Sequence, residues 1–229
     1  MKDALSGLIV VNKPLHLSSM DVVRVLRKLT GIRKIGHAGT LDPLATGVLL
    51  VCIGRVATKH IDKLMNTEKE YCAWINLSMF SVTDDAEGPF EDVIIEKIPS
   101  RKDIDLCLQR FIGLIAQVPP HYSAIKIEGV RAYEMARQGE MVELKPRNVL
   151  VLSIEVLSYE WPLLQIRVVC GKGFYVRSLA RDIGVYLNTG GYLTSLERIR
   201  IDNYSINEAE PLNMLQENKE IITSLLIQL

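Results

Sequence analysis

The sequence GHAGTLDPLATG, Gly36–Gly47, holds a single carboxylate, Asp42, between a glycine-rich approach and Pro43. The glycines loosen the backbone ahead of the carboxylate, and Pro43 disfavours the α region for the residue before it. We therefore expect Asp42 on a constrained loop, with Leu44–Thr46 beginning a helical turn after the proline. A carboxylate held in this way is a candidate nucleophile or general base. Its alternative role is to cap the short helix.

Further motifs follow one another along almost the whole chain. They are GLIVVNKPLHLSS at Gly7–Ser19, a K-x-Y element at Lys69–Tyr71, HYSAIKIEGVRAYEMARQG at His121–Gly139 and CGKGFYVRSLARDIG at Cys170–Gly184. Together with HAGTLDPLATGVL at His37–Leu49, they resemble, in order, the motifs of the bacterial tRNA pseudouridine-55 synthase family. The resemblance implies an enzyme that isomerises uridine 55 in the T-loop of tRNA to pseudouridine.

The resemblance also implies an architecture. The family has an α+β pseudouridine synthase fold, with flanking helices and a central cleft in a mixed, mostly antiparallel sheet. Many members carry a C-terminal RNA-binding module of the PUA type, and the 40 or so residues after Asn188 look too short for one. We therefore expect a single catalytic domain over residues 1–229, with a short helical C-terminal tail at Leu212–Leu229 and no PUA domain.

Site residues follow from the same resemblance. Asp42 falls on the family's catalytic aspartate. Tyr71 falls on a tyrosine that stacks on the flipped base and is implicated in proton removal at carbon 5. Arg177 falls on an arginine that pairs with the aspartate. The resemblance also implies His37, Asp85 and Tyr175 as substrate-binding residues; the basic residues Lys126 and Arg131 are expected to bind substrate through its phosphates.

Three departures from the family pattern affect these expectations. The family has TDTxD where this chain reads Ser81-Val82-Thr83-Asp84-Asp85, so the first aspartate is missing beside Asp85. Phe174 stands where the family prefers threonine, and Glu197 and Asp202 stand where LxR and glycine are typical. These departures concern local contacts with RNA and leave the proposed reaction unchanged.

The reaction determines which groups are needed. A uridine inside a folded T-arm is unreachable, so it must be flipped out of its stack before its glycosidic bond can be broken. A nucleophilic aspartate divides the isomerisation into easier covalent steps. We therefore expect no cofactor and no metal.

Charge gives weaker guidance. Lys and Arg total 27 and Asp and Glu total 27, whereas nucleic-acid-binding proteins are usually basic. The basic residues are concentrated within 13–34, 126–147 and 172–181, and the acidic ones at Asp84–Asp105 and after Glu197. Such segregation would allow one face to bind the phosphates of tRNA.

Other classes of protein are disfavoured. The apolar runs are shorter than the roughly 18 residues of a membrane helix, and the N-terminus lacks a signal-peptide pattern. The four cysteines and four histidines lack metal-ligand spacing. We therefore expect a cytoplasmic monomer with four buried, reduced thiols and no membrane partner.

Periodicity indicates alternating strands and helices. Capping boxes at Ser18/Asp21 and Ser100/Asp103 predict two helix starts, and Gly31 is expected to end the first helix. The predicted strands are Leu8–Val11, Val48–Ile53, Tyr71–Phe80 and the pair Arg147–Tyr159 with Gln165–Val169. Two further helices are predicted at Val56–Met65 and Tyr175–Leu187.

Two alternatives come from other functional classes. One is an RNA-folding helper that has the same fold but performs no chemistry. The other is a Mg²⁺-dependent phosphohydrolase with Asp42 as an aspartyl-phosphate nucleophile and Asp84-Asp85 as metal ligands. The second is disfavoured because Leu44 occupies the position where a second acid is expected.

Overall fold

The computed structural model describes residues 5–123, 125–127, 129–137 and 143–229. The chain divides into two compact units, the first made of Met1–Tyr71 and Leu196–Leu229 and the second of Cys72–Ser195. Strands of mixed, mostly antiparallel pairing and several helices give an α+β fold, as the sequence predicts.

The strands within the described residues are β1 Gly7–Lys13, β2 Ile35–His37, β3 Ala45–Ile53, β4 Lys69–Asn76, β5 Met79–Ser81, β6 Phe90–Asp92, β7 Gly113–Gln117, β8 Lys126–Ile127, β9 Val130–Arg131, β10 Arg147–Glu160, β11 Leu163–Cys170, β12 Tyr192–Ile201, β13 Tyr204–Ser205 and β14 Glu210–Pro211. The α-helices are α1 Ser19–Thr30, α2 Gly54–Ala57, α3 Ile61–Met65, α4 Arg101–Gln109, α5 Ala132–Arg137, α6 Val176–Leu187, α7 Leu212–Glu217 and α8 Ile221–Ser224.

In the first unit, β3 is the central strand. It pairs antiparallel with β1 along its whole length, from Gly7↔Ile53 to Lys13↔Gly47, and parallel with the second half of β12, beginning at Leu196↔Ala45. Seven of its nine residues, from Gly47 to Ile53, are buried in succession. Apolar side chains pack on both faces of β1 and β3, and those of α1, α7 and α8 join the cluster on one face.

Helix α1 shows why the local sequence signals work. Ser18 accepts a hydrogen bond from Asp21 N, and the Asp21 side chain accepts one from Ser18 N, which completes the predicted capping box. Gly31 ends the helix at φ 70°, a left-handed conformation that glycine adopts without a side-chain clash. The second predicted box, at Ser100 and Asp103, likewise begins α4.

In the second unit, β4, β11, β10 and β7 lie side by side in that order. The β10–β11 pair is antiparallel, as predicted, and bulges twice. Helix α6 begins after Tyr175 and buries seven of its twelve residues. Two short antiparallel pairs, β5–β6 and β8–β9, complete this unit within the described residues.

Three predicted elements differ from the structure. Leu44–Thr46 does not begin a helix, because Pro43 and Leu44 form a turn and the buried strand β3 already starts at Ala45. Val56–Met65 is divided into α2, a 3-10 turn and α3. The strand predicted over Tyr71–Phe80 stops at Asn76, whose side chain accepts hydrogen bonds from Ser78 N and Oγ.

The four cysteines are reduced, as expected, but they are not all buried. Cys52, Cys107 and Cys170 are buried, whereas Cys72 is only half-buried. Cys72 lies at an outward position of β4, where buried and half-buried residues alternate. The expectation of four buried thiols is therefore wrong for Cys72.

Candidate active site

Asp42 lies in a turn whose backbone is fixed on both sides. Before it, the buried hydroxyl of Ser19 accepts a hydrogen bond from Leu41 N at 2.8 Å and donates to Leu41 O at 3.1 Å. After it, His16 N donates to Pro43 O at 2.8 Å. The half-buried Asp42 side chain is therefore carried by a rigid backbone, as a positioned nucleophile requires.

Arg198, which the sequence analysis did not single out, connects the two ends of this motif. Its side chain is 1% exposed, and it donates through Nε to Val48 O at 2.7 Å and through Nη2 to Gly39 O at 3.1 Å. Gly47 has φ 100°, and a Cβ there would lie 2.3 Å from Arg198 O. The sequence signal that could have revealed Arg198 is its position two residues after Leu196, which places both side chains on the same face of β12.

Lys13 places a second cation near Asp42. Its ammonium group is fully buried and donates to Pro14 O at 2.8 Å and to Leu17 O at 2.6 Å. Burial lowers the pKa of Lys13 to about 8, and the positive charge of Arg198 also lowers it, whereas the negative charge of Asp42 raises it. Lys13 therefore remains largely protonated near neutral pH and attracts the Asp42 carboxylate.

His37 is the last residue of β2 and lies five residues before Asp42 in the chain. Its Nδ1 atom is buried and has no hydrogen-bond partner among the described residues. Burial lowers the pKa of His37, and the charge of Arg198 lowers it further. Both causes favour the neutral imidazole, and the role of His37 in holding the displaced nucleotide stays a prediction.

Tyr71 lies on β4, at a position where buried residues alternate with half-buried ones, and is 9% exposed. The two residues before it, Lys69 and Glu70, form hydrogen bonds within the first unit. Lys69, also buried, donates to Met65 O at 2.7 Å, and Arg200 donates to Glu70 at 2.8 Å. The strand that carries Tyr71 is therefore fixed on both of its faces.

Arg177, in the second unit, is placed by the first turn of α6 and is 5% exposed. Its guanidinium donates through Nη1 to Thr83 O at 3.3 Å and through Nη2 to Tyr122 O at 3.0 Å. It also forms an ion pair with Asp85 at 3.5 Å. The predicted pairing of Arg177 with Asp42 stays a prediction.

Asp85 is oriented by several contacts. One of its oxygens, Oδ1, accepts from Thr83 Oγ1 at 2.6 Å and from Glu87 N at 3.0 Å. The other, Oδ2, faces Arg177. The hydroxyl of Thr83 thus orients Asp85 in a segment that lacks the family's first aspartate, and a contact of Asp85 with uracil stays a prediction.

Tyr175 is held through its backbone by a side chain that the sequence analysis missed. Gln117, 2% exposed, accepts from Tyr175 N at 2.9 Å and donates to Tyr175 O at 3.1 Å. This pair of hydrogen bonds fixes the residue that precedes α6. A lone glutamine at the end of a strand carries no sequence signal for this role.

The phosphate-binding predictions at Lys126 and Arg131 concern side chains that lie outside the described part of the chain. Asp84 and Asp85, the metal ligands of the phosphohydrolase alternative, face Arg181 and Arg177. In the ranges that the structure covers, there is no group of three or more His, Cys, Asp or Glu residues suited to a metal. None of the described helices is long and apolar enough to cross a membrane.

Comparison with known proteins places this geometry in a family. The model of the TruB family pseudouridylate synthase (N terminal domain) matches residues 27–176, more than half of the chain. The chain belongs to this family. Asp42, Tyr71 and Tyr175 fall within the matched range, and Arg177 is the residue directly after it.

Two curated relatives extend the TruB family match beyond that range. A protein of Clostridium tetani named tRNA pseudouridine synthase B is 42% identical over 97% of this chain and 76% of its own length. A protein of the same name from Parabacteroides distasonis is 44% identical over 90% of both chains.

A solved structure is also similar in fold. The crystal structure of a Cbf5-Nop10-Gar1 complex contains a chain that matches with a TM-score of 0.71 and 28% identity. The match covers 94% of the present chain but only 55% of the solved one. The present chain therefore spans about half the length of this solved relative.

Proposed function

We propose that this chain is a tRNA pseudouridine synthase that isomerises uridine 55 in the T-arm. The observation that carries the proposal is the Asp42 turn of a TruB family chain, which is fixed by Ser19 and Arg198 and interacts electrostatically with the Lys13 cation. Relatives named tRNA pseudouridine synthase B support tRNA as the substrate. We further propose that the chain acts in the cytoplasm as a monomer and a single catalytic domain.

The proposal gives each side chain a role. Asp42 is the nucleophile that forms a covalent intermediate while the glycosidic bond between C1′ and N1 is broken. After the uracil rotates, C1′ bonds to carbon 5, the covalent bond to Asp42 breaks, the proton on carbon 5 leaves and N1 takes up a proton. Tyr71 stacks on the flipped base and assists this proton removal. No cofactor or metal enters these steps.

Of the remaining residues, Arg177 is catalytic and the others bind and orient the substrate. Arg177, with its planar guanidinium, stabilises the charge of the nucleophile. His37, Asp85 and Tyr175 contact the displaced nucleotide, the last by lining the pocket for the base. Lys126 and Arg131 bind phosphates of the T-arm, so they contribute to affinity and its dependence on salt.

A change in the substrate tests the proposed site of modification. An unmodified tRNA transcript labelled with tritium at carbon 5 of its uridines is incubated with the protein, and a transcript carrying cytidine at position 55 is the control. We expect about one equivalent of tritium to be released from the first transcript and none from the second. Release from both transcripts would contradict the assignment to uridine 55.

A further inference from the structure

Two arginines, one turn apart on α6, attach the same two segments of the chain to this helix. The first is Arg177, which binds the turn Thr83–Asp85 through the Thr83 carbonyl and the Asp85 carboxylate. It also binds the segment Val118–Tyr122 through Tyr122 O at 3.0 Å.

Arg181 repeats this pattern four residues later. It donates through Nη1 to Asp84 Oδ2 at 2.8 Å, on the turn, and through Nη2 to Val118 O at 2.9 Å, on the segment. Ser178, on the same face of the helix, also donates to Val118 O, at 2.8 Å. On the turn, Asp84, which meets Arg181, thus lies between Thr83 and Asp85, which meet Arg177.

Asp84, which binds Arg181, has an unusual backbone conformation. Its φ of 61° lies in the left-handed region, which costs a residue other than glycine some backbone strain. It is 7% exposed, and its backbone is hydrogen-bonded to Ser81 O and Leu193 N, both at 3.0 Å. The tight turn aims two consecutive carboxylates, Asp84 and Asp85, at two successive arginines.

We propose that Arg181 and Asp84 form a positioning pair, which holds the turn and the Val118–Tyr122 segment in the arrangement that Arg177 requires. This inference rests on the proposed function, in which Arg177 is a catalytic residue. A guanidinium bound through two separate nitrogens of its rigid planar fork fixes the relative positions of both partners. A displacement of about 1 Å at a catalytic group can lower turnover by about a hundredfold.

The charges around Asp84 predict when the pair is intact. Burial raises the pKa of Asp84 to about 6, and the charges of Asp182 and Asp85 also raise it, whereas those of Arg181 and Arg177 lower it. The carboxylate is therefore ionised, and the ion pair complete, above about pH 6. Protonation below this pH weakens the contact with Arg181.

A double variant, Asp84→Asn with Arg181→Met, removes both charges of the pair together; Asp182, whose side chain is 31% exposed, also loses its ion pair with Arg181. Asparagine tolerates the left-handed backbone, and the variant is therefore expected to fold. The matched control is Arg101→Met with Asp105→Asn, which removes an exposed ion pair of 2.9 Å on α4. Turnover, tRNA affinity and amide hydrogen exchange are measured for both variants and for the wild type.

The positioning role predicts that kcat falls about tenfold to a hundredfold in the Asp84/Arg181 variant, with the Kd for tRNA within about threefold of the wild-type value. In the wild type, kcat should decrease as the pH falls below the Asp84 pKa of about 6. This decrease should be absent in the double variant. Exchange at Glu87 N, which donates to Asp85, should become faster. The control variant should match the wild type in every measurement.

The inference would be overturned if the folded double variant had the same kcat as the wild type and the same rate of hydrogen exchange at Glu87 N. Exchange does not require turnover, so it tests the pair even if the wild type releases no tritium. A wild type without activity would contradict the proposed function instead.

Discussion

Gly47→Ala is the substitution whose effect can be worked out most directly from the structure. Gly47 ends the motif that carries Asp42, and it has φ 100°. An added Cβ would lie 2.3 Å from Arg198 O and 2.9 Å from both Arg198 N and Arg198 C. These atoms belong to the backbone of β12, which is paired with β3 at this position, so they cannot rotate away.

Two contributions add up in this variant. Backbone strain at positive φ costs about 1–3 kcal/mol, and forcing a packed strand to move costs about 1–3 kcal/mol more. We therefore expect the free energy of unfolding to fall by about 4 kcal/mol in total. Turnover should fall as well, because a shifted Arg198 loses its hydrogen bonds to Val48 O and Gly39 O.

Two other glycines isolate the effect of the clash. Gly113 has the same φ of 100°, and Gly31, in the same unit as Gly47, has φ 70°; neither would bring a Cβ within 4 Å of another atom. Urea denaturation followed by circular dichroism gives the free energy of unfolding for the three alanine variants. We expect Gly47→Ala to lose about 2 kcal/mol more than either control. Equal losses in all three variants would refute the steric argument.

Other perturbations test separate parts of the site. Ser19→Ala leaves the buried N–H before Asp42 without its acceptor, so the free energy of unfolding should fall by about 1–3 kcal/mol, against almost no change for the exposed Ser224→Ala in the same denaturation assay. The folded state raises the pKa of Asp84 from 3.8 to about 6. The free energy of unfolding of the wild type, relative to that of Asp84→Asn, should therefore fall by up to about 3 kcal/mol as the pH rises from about 4 to 6. Calorimetry that shows no change of this difference with pH would contradict the raised pKa. Substituting Lys126 or Arg131 by alanine should weaken tRNA binding and lower its salt dependence by about one unit of slope; filter binding that shows an unchanged slope would contradict a phosphate contact.

The sequence predicted the features that depend on neighbouring residues. Ser18 and Gly31 begin and end α1 through contacts within a few residues, and the box at Ser100 works in the same way. The Asp42 motif also indicated a constrained loop correctly. In each case the residues that interact are close in the chain, so a short window contains the physical cause.

The features that the sequence analysis missed depend on distant residues. Leu44–Thr46 follows a proline and was expected to be helical, but pairing of β3 with β1 and β12 overrides that local preference. Arg198 reaches Gly39 across 159 positions of the chain. Arg181 reaches Asp84 across 97 positions. A single sequence holds no record of such pairings, so the residues that surround the candidate site could not be found from it.

The central claim is that Asp42 is the nucleophile of a tRNA pseudouridine synthase. Its most direct test is release of tritium from carbon 5 of labelled, unmodified tRNA, with wild type and Asp42→Asn measured side by side without added metal. We expect release by the wild type and none by Asp42→Asn, which should still bind tRNA within about tenfold of the wild-type affinity, a difference of about 1.4 kcal/mol. Release by Asp42→Asn at the wild-type rate, or no release by a folded wild type that binds tRNA, would contradict the claim.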